Sequence, residues 1–196
     1  MSAMLFLLNS FWAVLAIVFL IVATFLAQHY FCRSMTPEFG LQPQRPTFWS
    51  VLMSAMLHAD GKHLIGNLYI FIPIAAILIA VWGNVHLLFI CAVAIAIAGM
   101  GIIVTGQRNS MHLGFSGVVF GLLGFLLADC IRCLFWEPAI PPRVGIDLAI
   151  ILWYRRCYWS LLSTGRSSGG RRISVEGHLF GFLGGMVASV CSPTLV

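Results

Sequence analysis

The chain has 196 residues, 60% of them apolar, and 17 charged side chains, 11 basic and 6 acidic, for a net charge of +5. A soluble domain of this length covers its surface with charge that this composition does not supply, which excludes an ordinary cytosolic domain, a disordered chain and a small disulfide scaffold. The apolar runs are continuous rather than alternating, which excludes a membrane barrel and leaves an all-α, polytopic membrane protein.

A helical span needs about 20 apolar residues. The first covers 11–31. Residues 1–30 carry neither a basic start nor a small-residue cleavage site, so this span is expected to be retained rather than cleaved. A polar stretch, 33–62, follows, containing Pro37, Pro43 and Pro46 and broken by the apolar segment 49–57. Phe48 and Trp49 suit the headgroup level. The second span covers 63–82, Gly83-Asn84 makes a turn, and the third covers 85–104. After a polar connection, 105–112, the fourth runs 115–134. Glu137-Pro138 to Pro141-Pro142 marks a loop. The fifth, 144–162, holds Asp147 and the pair Arg155-Arg156. A charge at mid-membrane costs at least about 2.5–3.5 kcal/mol, so the arginine pair reads as lying at an interface or on a short, tilted helix. A Gly/Ser-rich loop, 165–172, leads to the sixth span, 175–191. No internal repeat or second domain is visible, so residues 1–196 read as one domain of six transmembrane helices.

The uninterrupted apolar part of the fourth span, 113–128, is 16 residues. At 1.5 Å per residue it reaches about 24 Å, short of a core about 30 Å thick. This helix is expected to begin below the membrane surface, where irregular backbone needs a protein or water lining and something polar is housed.

The basic excess reads as loops beside anionic lipid headgroups rather than a nucleic-acid surface, because no basic stripe alternates with aromatics. Cys130-x-x-Cys133 is the one close cysteine pair and has no second pair to complete a zinc set, so it reads as packing thiols.

Six alternating spans put the loops after the first, third and fifth on one membrane face. There the second span begins with His58, Asp60, His63 and Asn67, the fourth with Gly114-Phe115-Ser116-Gly117, and the sixth with Glu176-Gly177-His178. Ser116 sits at a helix N-terminus, where backbone N–H groups can stabilise an oxyanion. An ionisable residue at a membrane helix start, such as His178, is a functional candidate. Gly114, Gly117, Gly121 and Gly124 face Gly177, Gly181, Gly184 and Gly185 as ladders that let two helices approach closely. That packing brings the His178 imidazole near the Ser116 hydroxyl, which needs a base to become a nucleophile. His63 and Asn67, at i and i+4, share a helix face and can both donate to an oxyanion. His58 reads as structural. Glu176 lies two residues from His178 and points elsewhere on a helix, so a dyad fits better than a triad. A metal site from His58, His63 and His112 has only Asp60 as a nearby carboxylate, and no His-Glu-x-x-His is present.

His58-x4-His63-x3-Asn67, Gly114-Phe115-Ser116-Gly117 and His178-x-x-Gly181-x3-Gly185 resemble the three motifs of rhomboid intramembrane serine proteases, in their order on the second, fourth and sixth spans. The resemblance implies a rhomboid-like bundle with Ser116 as nucleophile and His178 as general base. It implies an oxyanion hole of His63, Asn67 and the Ser116 backbone N–H. It also implies cleavage of single-span membrane proteins in or near their membrane segment, in a cell membrane (the inner membrane in a bacterium), with no metal or cofactor. The alternative is a catalytically silent relative that binds client helices. Silent relatives typically lose the serine or the histidine, and this chain keeps both. A transporter would need paired repeats or discontinuous helices, and neither is seen.

The chain departs from the family pattern at three places. Trp49-Ser50 stands where Trp-Arg is common, Phe120 replaces a tyrosine, and Ile79 replaces a glutamate before Gly83. Phe120 keeps the ring expected to pack on His178 and loses its hydroxyl. The loops after the odd-numbered spans hold Arg33, Arg45, Lys62, Arg108, Arg155, Arg156, Arg166, Arg171 and Arg172, nine of the 11 basic residues. Charge counting puts those loops inside the cell, whereas the family usually keeps its N-terminus in the cytoplasm and opens its site outward. We follow the family orientation.

Overall fold

A computed structural model describes residues 3–137, 140–155 and 174–192 of the chain. Among the described residues the fold is helical: α1 (Ala3–Leu26), α2 (Met35–Phe39), α3 (Phe48–Met56), α4 (Gly61–Trp82), α5 (Asn84–Thr105), α6 (Ser116–Trp136), α7 (Arg143–Trp153) and α8 (Val175–Val190). A π-helical turn, Ala27–Phe31, continues α1. The one β-type pairing among them is a single bridge between Leu41 and His112.

Four stretches are long and apolar enough to cross a membrane: Ser10–Phe31, Gly61–Trp82, Asn84–Thr105 and Ser116–Trp136. They match the first four expected spans within a few residues. The fifth is described only in its first part, as α7. The rest of it, with Arg156, lies outside the described residues, as do the loop 165–172 and Cys157. Within the described part, Asp147 is buried and Arg155 is exposed, its guanidinium donating to the Leu152 carbonyl (3.3 Å). The stretch expected as the sixth span forms α8, an apolar helix of 16 residues, shorter than the four of membrane length.

Apolar side chains face outward along the long helices. Phe19, Val104 and Val190 are 74%, 79% and 78% exposed. Lipid is a solvent in which such side chains cost nothing. The polar connection after α1 folds into α2 and α3. Thr47 caps α3 in a reciprocal capping box with Ser50, so Ser50 faces inward and supports this loop by hydrogen bonds. Phe48 and Trp49 at the same helix start are exposed, as an interfacial position requires.

α6 is the most enclosed of the four membrane-length helices: 67% of its most apolar stretch is buried, against 22% for that of Ser10–Phe31. α8 packs between α6 and α5. A Cβ at Gly181 would overlap the Gly117 carbonyl, and one at Gly185 would overlap the Gly121 carbonyl. The two backbones therefore touch, and only glycine permits it. Gly184 faces α5 instead, against Ala94 and Ile97.

The far end of α6 is tied by ions. Asp129, fully buried, accepts from Arg132 (2.5 Å) and from Arg143 at the start of α7 (3.3 Å). Both guanidinium groups lie over the Trp82 ring, at 5.7 and 5.5 Å, and Arg132 also donates to the Ser192 carbonyl (3.1 Å). One carboxylate thus joins the ends of α6 and α7, and Arg132 and Trp82 extend the tie to α8 and α4. Cys130 and Cys133, expected as packing thiols, are both buried beside it.

Gly181→Leu is expected to force α6 and α8 apart, at a cost of about 1–3 kcal/mol or more. Thermal melting of the purified variant in detergent checks this. Wild-type melting would mean that the helices do not meet there.

Candidate active site

Ser116 is the first residue of α6, and His178 lies in the first turn of α8. The touching backbones bring the Ser116 hydroxyl within 3.0 Å of His178 Nε2. The Phe120 ring, one turn beyond Ser116, stacks on the imidazole at 4.3 Å between centroids and 29° between planes. The hydroxyl that tyrosine would add is not needed for this contact. His178 Nδ1 is buried and has no hydrogen-bond partner among the described residues. Among them no carboxylate holds the ring, which rests on the Phe120 face instead.

The start of α4 is set by Asp60, whose carboxylate accepts from the His63 backbone N–H (2.9 Å). This N-cap puts His63 in the first turn and Asn67 in the second. The His63 ring lies against Gly114, which has φ +120, a conformation open to glycine and costly for other residues. A Cβ there would stand 2.8 Å from His63 Nε2. The structure therefore gathers Ser116, His178, His63 and Asn67, the four residues singled out from sequence, around one buried end of the bundle.

Asn67 carries a bond that spacing did not reveal. His58 is fully buried, and its Nδ1 lies 3.1 Å from the Met56 carbonyl, to which it must donate. Nε2 is then bare and accepts from Asn67 Nδ2 (3.0 Å) and from the Phe115 backbone N–H (3.4 Å). The His58 backbone N–H in turn donates to Gln28 (3.1 Å), whose amide donates to Thr36 (2.9 Å). The structural reading of His58 is supported, and Gln28 is the residue missed. Nothing local marks it, because its partner is 30 positions away.

The three-histidine metal set does not form. His58 is spent on these bonds, its ring sits 5.2 Å from that of His63, and the His112 nitrogens face Ser110 and Ser174. Among the described residues no group of His, Cys, Asp and Glu is arranged to hold a metal ion. A cavity of about 40 Å³ adjoins Ser116, lined also by Ser54, His112, Ser174 and Gly177. It has room for more than one water, each needing about 10–15 Å³.

Apolar helices of membrane length carrying a half-buried serine against a buried imidazole define an integral membrane protein with a polar site inside it. The Rhomboid domain family profile matches residues 45–193, and the chain belongs to the rhomboid family. It is 28% identical to the uncharacterized protein Mb1372 of Mycobacterium bovis over 162 residues, 76% of this chain and 62% of that one. It is 28% identical to the uncharacterized protein ML1171 of Mycobacterium leprae, over 72% of this chain and 55% of that one. It is 27% identical to a Bacillus subtilis protein named "Putative rhomboid protease YdcA", over 80% of this chain and 73% of that one. The chain thus spans about three-fifths of the length of the mycobacterial relatives it matches.

Burial, and then the neighbouring His63, push the His58 pKa down to about 4 from the ordinary 6.5. The folded ring stays neutral where the unfolded one charges, so unfolding takes up a proton between those values. Stability is expected to be full above pH 6.5 and to fall as pH drops toward 4. Melting temperature against pH tests this: His58→Gln should show a shallower fall over that window than the wild type.

Proposed function

We propose that this chain is an intramembrane serine endopeptidase that cleaves single-span membrane proteins in or near their membrane segment. The observation that carries the reading is the 3.0 Å contact between Ser116 Oγ and His178 Nε2 at the half-buried start of two glycine-packed helices. A silent, client-gripping relative has no use for that contact. Under this reading residues 1–196 form one domain with six spans in a cell membrane, and its partners are substrate helices and lipid.

The chemistry follows from the atoms. His178 Nε2 takes the hydroxyl proton as Ser116 Oγ attacks the scissile carbonyl. Charge develops on the carbonyl oxygen, and His63, Asn67 and the Ser116 backbone N–H donate to it. One Asn67 amide hydrogen is held by His58, which leaves the other for the substrate. As the tetrahedral species collapses, His178 returns the proton to the leaving amine. Water from the adjoining cavity then hydrolyses the acyl-enzyme with the same base. Every step uses groups of the chain and water.

Ser116→Ala and His178→Ala are each expected to abolish cleavage of a single-span substrate by the purified protein while melting as the wild type does. Each loss should nearly equal the loss in the double variant, since the two act as a unit. Substantial cleavage by either single variant would remove the dyad.

Asn67→Ala is expected to lower kcat more than it raises KM. The loss should be smaller than the roughly 2.7–4 kcal/mol recorded for a single oxyanion donor in another serine protease, because two donors remain. It should also lower the melting temperature, because His58 Nε2 loses the closer of its two donors and keeps only the Phe115 backbone N–H. Unchanged kcat per folded molecule would leave Asn67 a purely structural residue.

A further inference from the structure

A second polar relay lies beside the dyad, on the loop between α5 and α6. His112 is buried at 8% exposure, and its backbone exchanges hydrogen bonds with Leu41 (2.9 and 3.2 Å). Its ring joins two serines: Nε2 lies 2.7 Å from Ser110 Oγ, and Nδ1 lies 2.6 Å from Ser174 Oγ. The protons along this line can be assigned. The Ser110 hydroxyl donates to the Gln107 carbonyl (2.6 Å), and it has only one hydrogen. Nε2 must therefore be the donor to Ser110. A neutral ring is then bare at Nδ1 and accepts from the Ser174 hydroxyl. Ser174 Oγ still accepts the Gly177 backbone N–H (3.1 Å), and the Ser174 carbonyl accepts that of His178 (3.1 Å). Any other assignment for a neutral ring leaves a short contact between two acceptors. Burial lowers the His112 pKa, against the opposing pull of Glu176, and so favours the neutral ring.

Ser174 is the N-cap of α8, and His178 lies one turn further on. Helix ends fray unless held, and a base must stay in place against its nucleophile. We infer that His112 is a positioning residue, which through Ser174 fixes the first turn of α8 and with it the placement of His178 against Ser116. The inference rests on the protease reading. It gives the α5–α6 loop a part in catalysis that neither the three motifs nor the oxyanion donors require.

The test uses the full chain in detergent, with two readouts: cleavage kinetics on a single-span substrate, and the rate at which a fluorophosphonate labels Ser116. His112→Phe keeps a ring and removes both nitrogens. It is expected to lower kcat and the labelling rate about tenfold to a hundredfold with KM nearly unchanged. His112→Asn puts Oδ1 close to the place of Nδ1 and keeps an acceptor for Ser174, so it should recover most of that loss. Ser174→Gly removes the hydroxyl while leaving a tolerated N-cap residue, and should fall as His112→Phe does. If His112→Phe does not fold, Ser174→Gly and His112→Asn decide the matter on the same readouts. An active wild type whose variants keep kcat and labelling per folded molecule overturns this inference alone. So does a His112→Asn protein no better than the protein lacking the ring nitrogens or the Ser174 hydroxyl. A wild type that is neither labelled nor able to cleave overturns the protease reading, and this inference with it.

Discussion

The direct contact between the α6 and α8 backbones is the constraint on which the rest of the molecule depends. In lipid no hydrophobic force drives one apolar helix onto another, so association relies on close packing. The Gly117–Gly181 and Gly121–Gly185 approaches supply it, with carbonyl oxygens where side chains would otherwise stand. Because the ladder begins at the ends of both helices, the same contact sets the distance from Ser116 to His178. Packing and site geometry are one quantity here, and neither can change without the other.

The polar groups inside the bundle are ordered with few alternatives. His58 has one ring nitrogen against a carbonyl and the other facing two donors, which fixes its tautomer and orients the Asn67 amide. Among the described residues His178 is one of three exceptions, with a buried Nδ1 that has no partner, alongside Arg132 Nε and Ser189 Oγ. An unpaired buried donor costs about 1–3 kcal/mol. On the proposed reading His178 is a base that turns positive and back during the reaction, where an unpaired nitrogen has a use, and the Phe120 ring packs on the imidazole without fixing its charge.

Much of this was legible in the sequence, because it is periodic or local. Four apolar runs mark four long helices. Glycines at i, i+4 and i+8 on 177–185, opposite those on 114–124, mark the packed pair. The placement of Ser116, His178, His63 and Asn67 at helix starts follows from the same reading. What could not be read are pairings set by tertiary approach. Gln28 reaches His58 across 30 positions, and His112 reaches Ser174 across 62. Asp129 meets Arg132 one turn on and Arg143 across 14 positions, and the second pairing has no local signal. Ser50 departs from the family pattern in sequence, and its capping box with Thr47 is visible only in the structure.

The π-helical turn at Ala27–Phe31 gives the first helix a phase that the others lack. A π turn carries roughly one residue more than an α turn, so the residues after it are rotated by about 100° from where a regular helix would put them. It lies where Gln28 turns inward to meet His58 and Thr36. A one-residue deletion in the helix ahead of Gln28 would rotate its amide by about 100°, away from His58 and Thr36, without exposing a charge. The first helix contributes none of the four motif residues. It is nonetheless in register with the site, and its length in residues is therefore as constrained as its hydrophobicity.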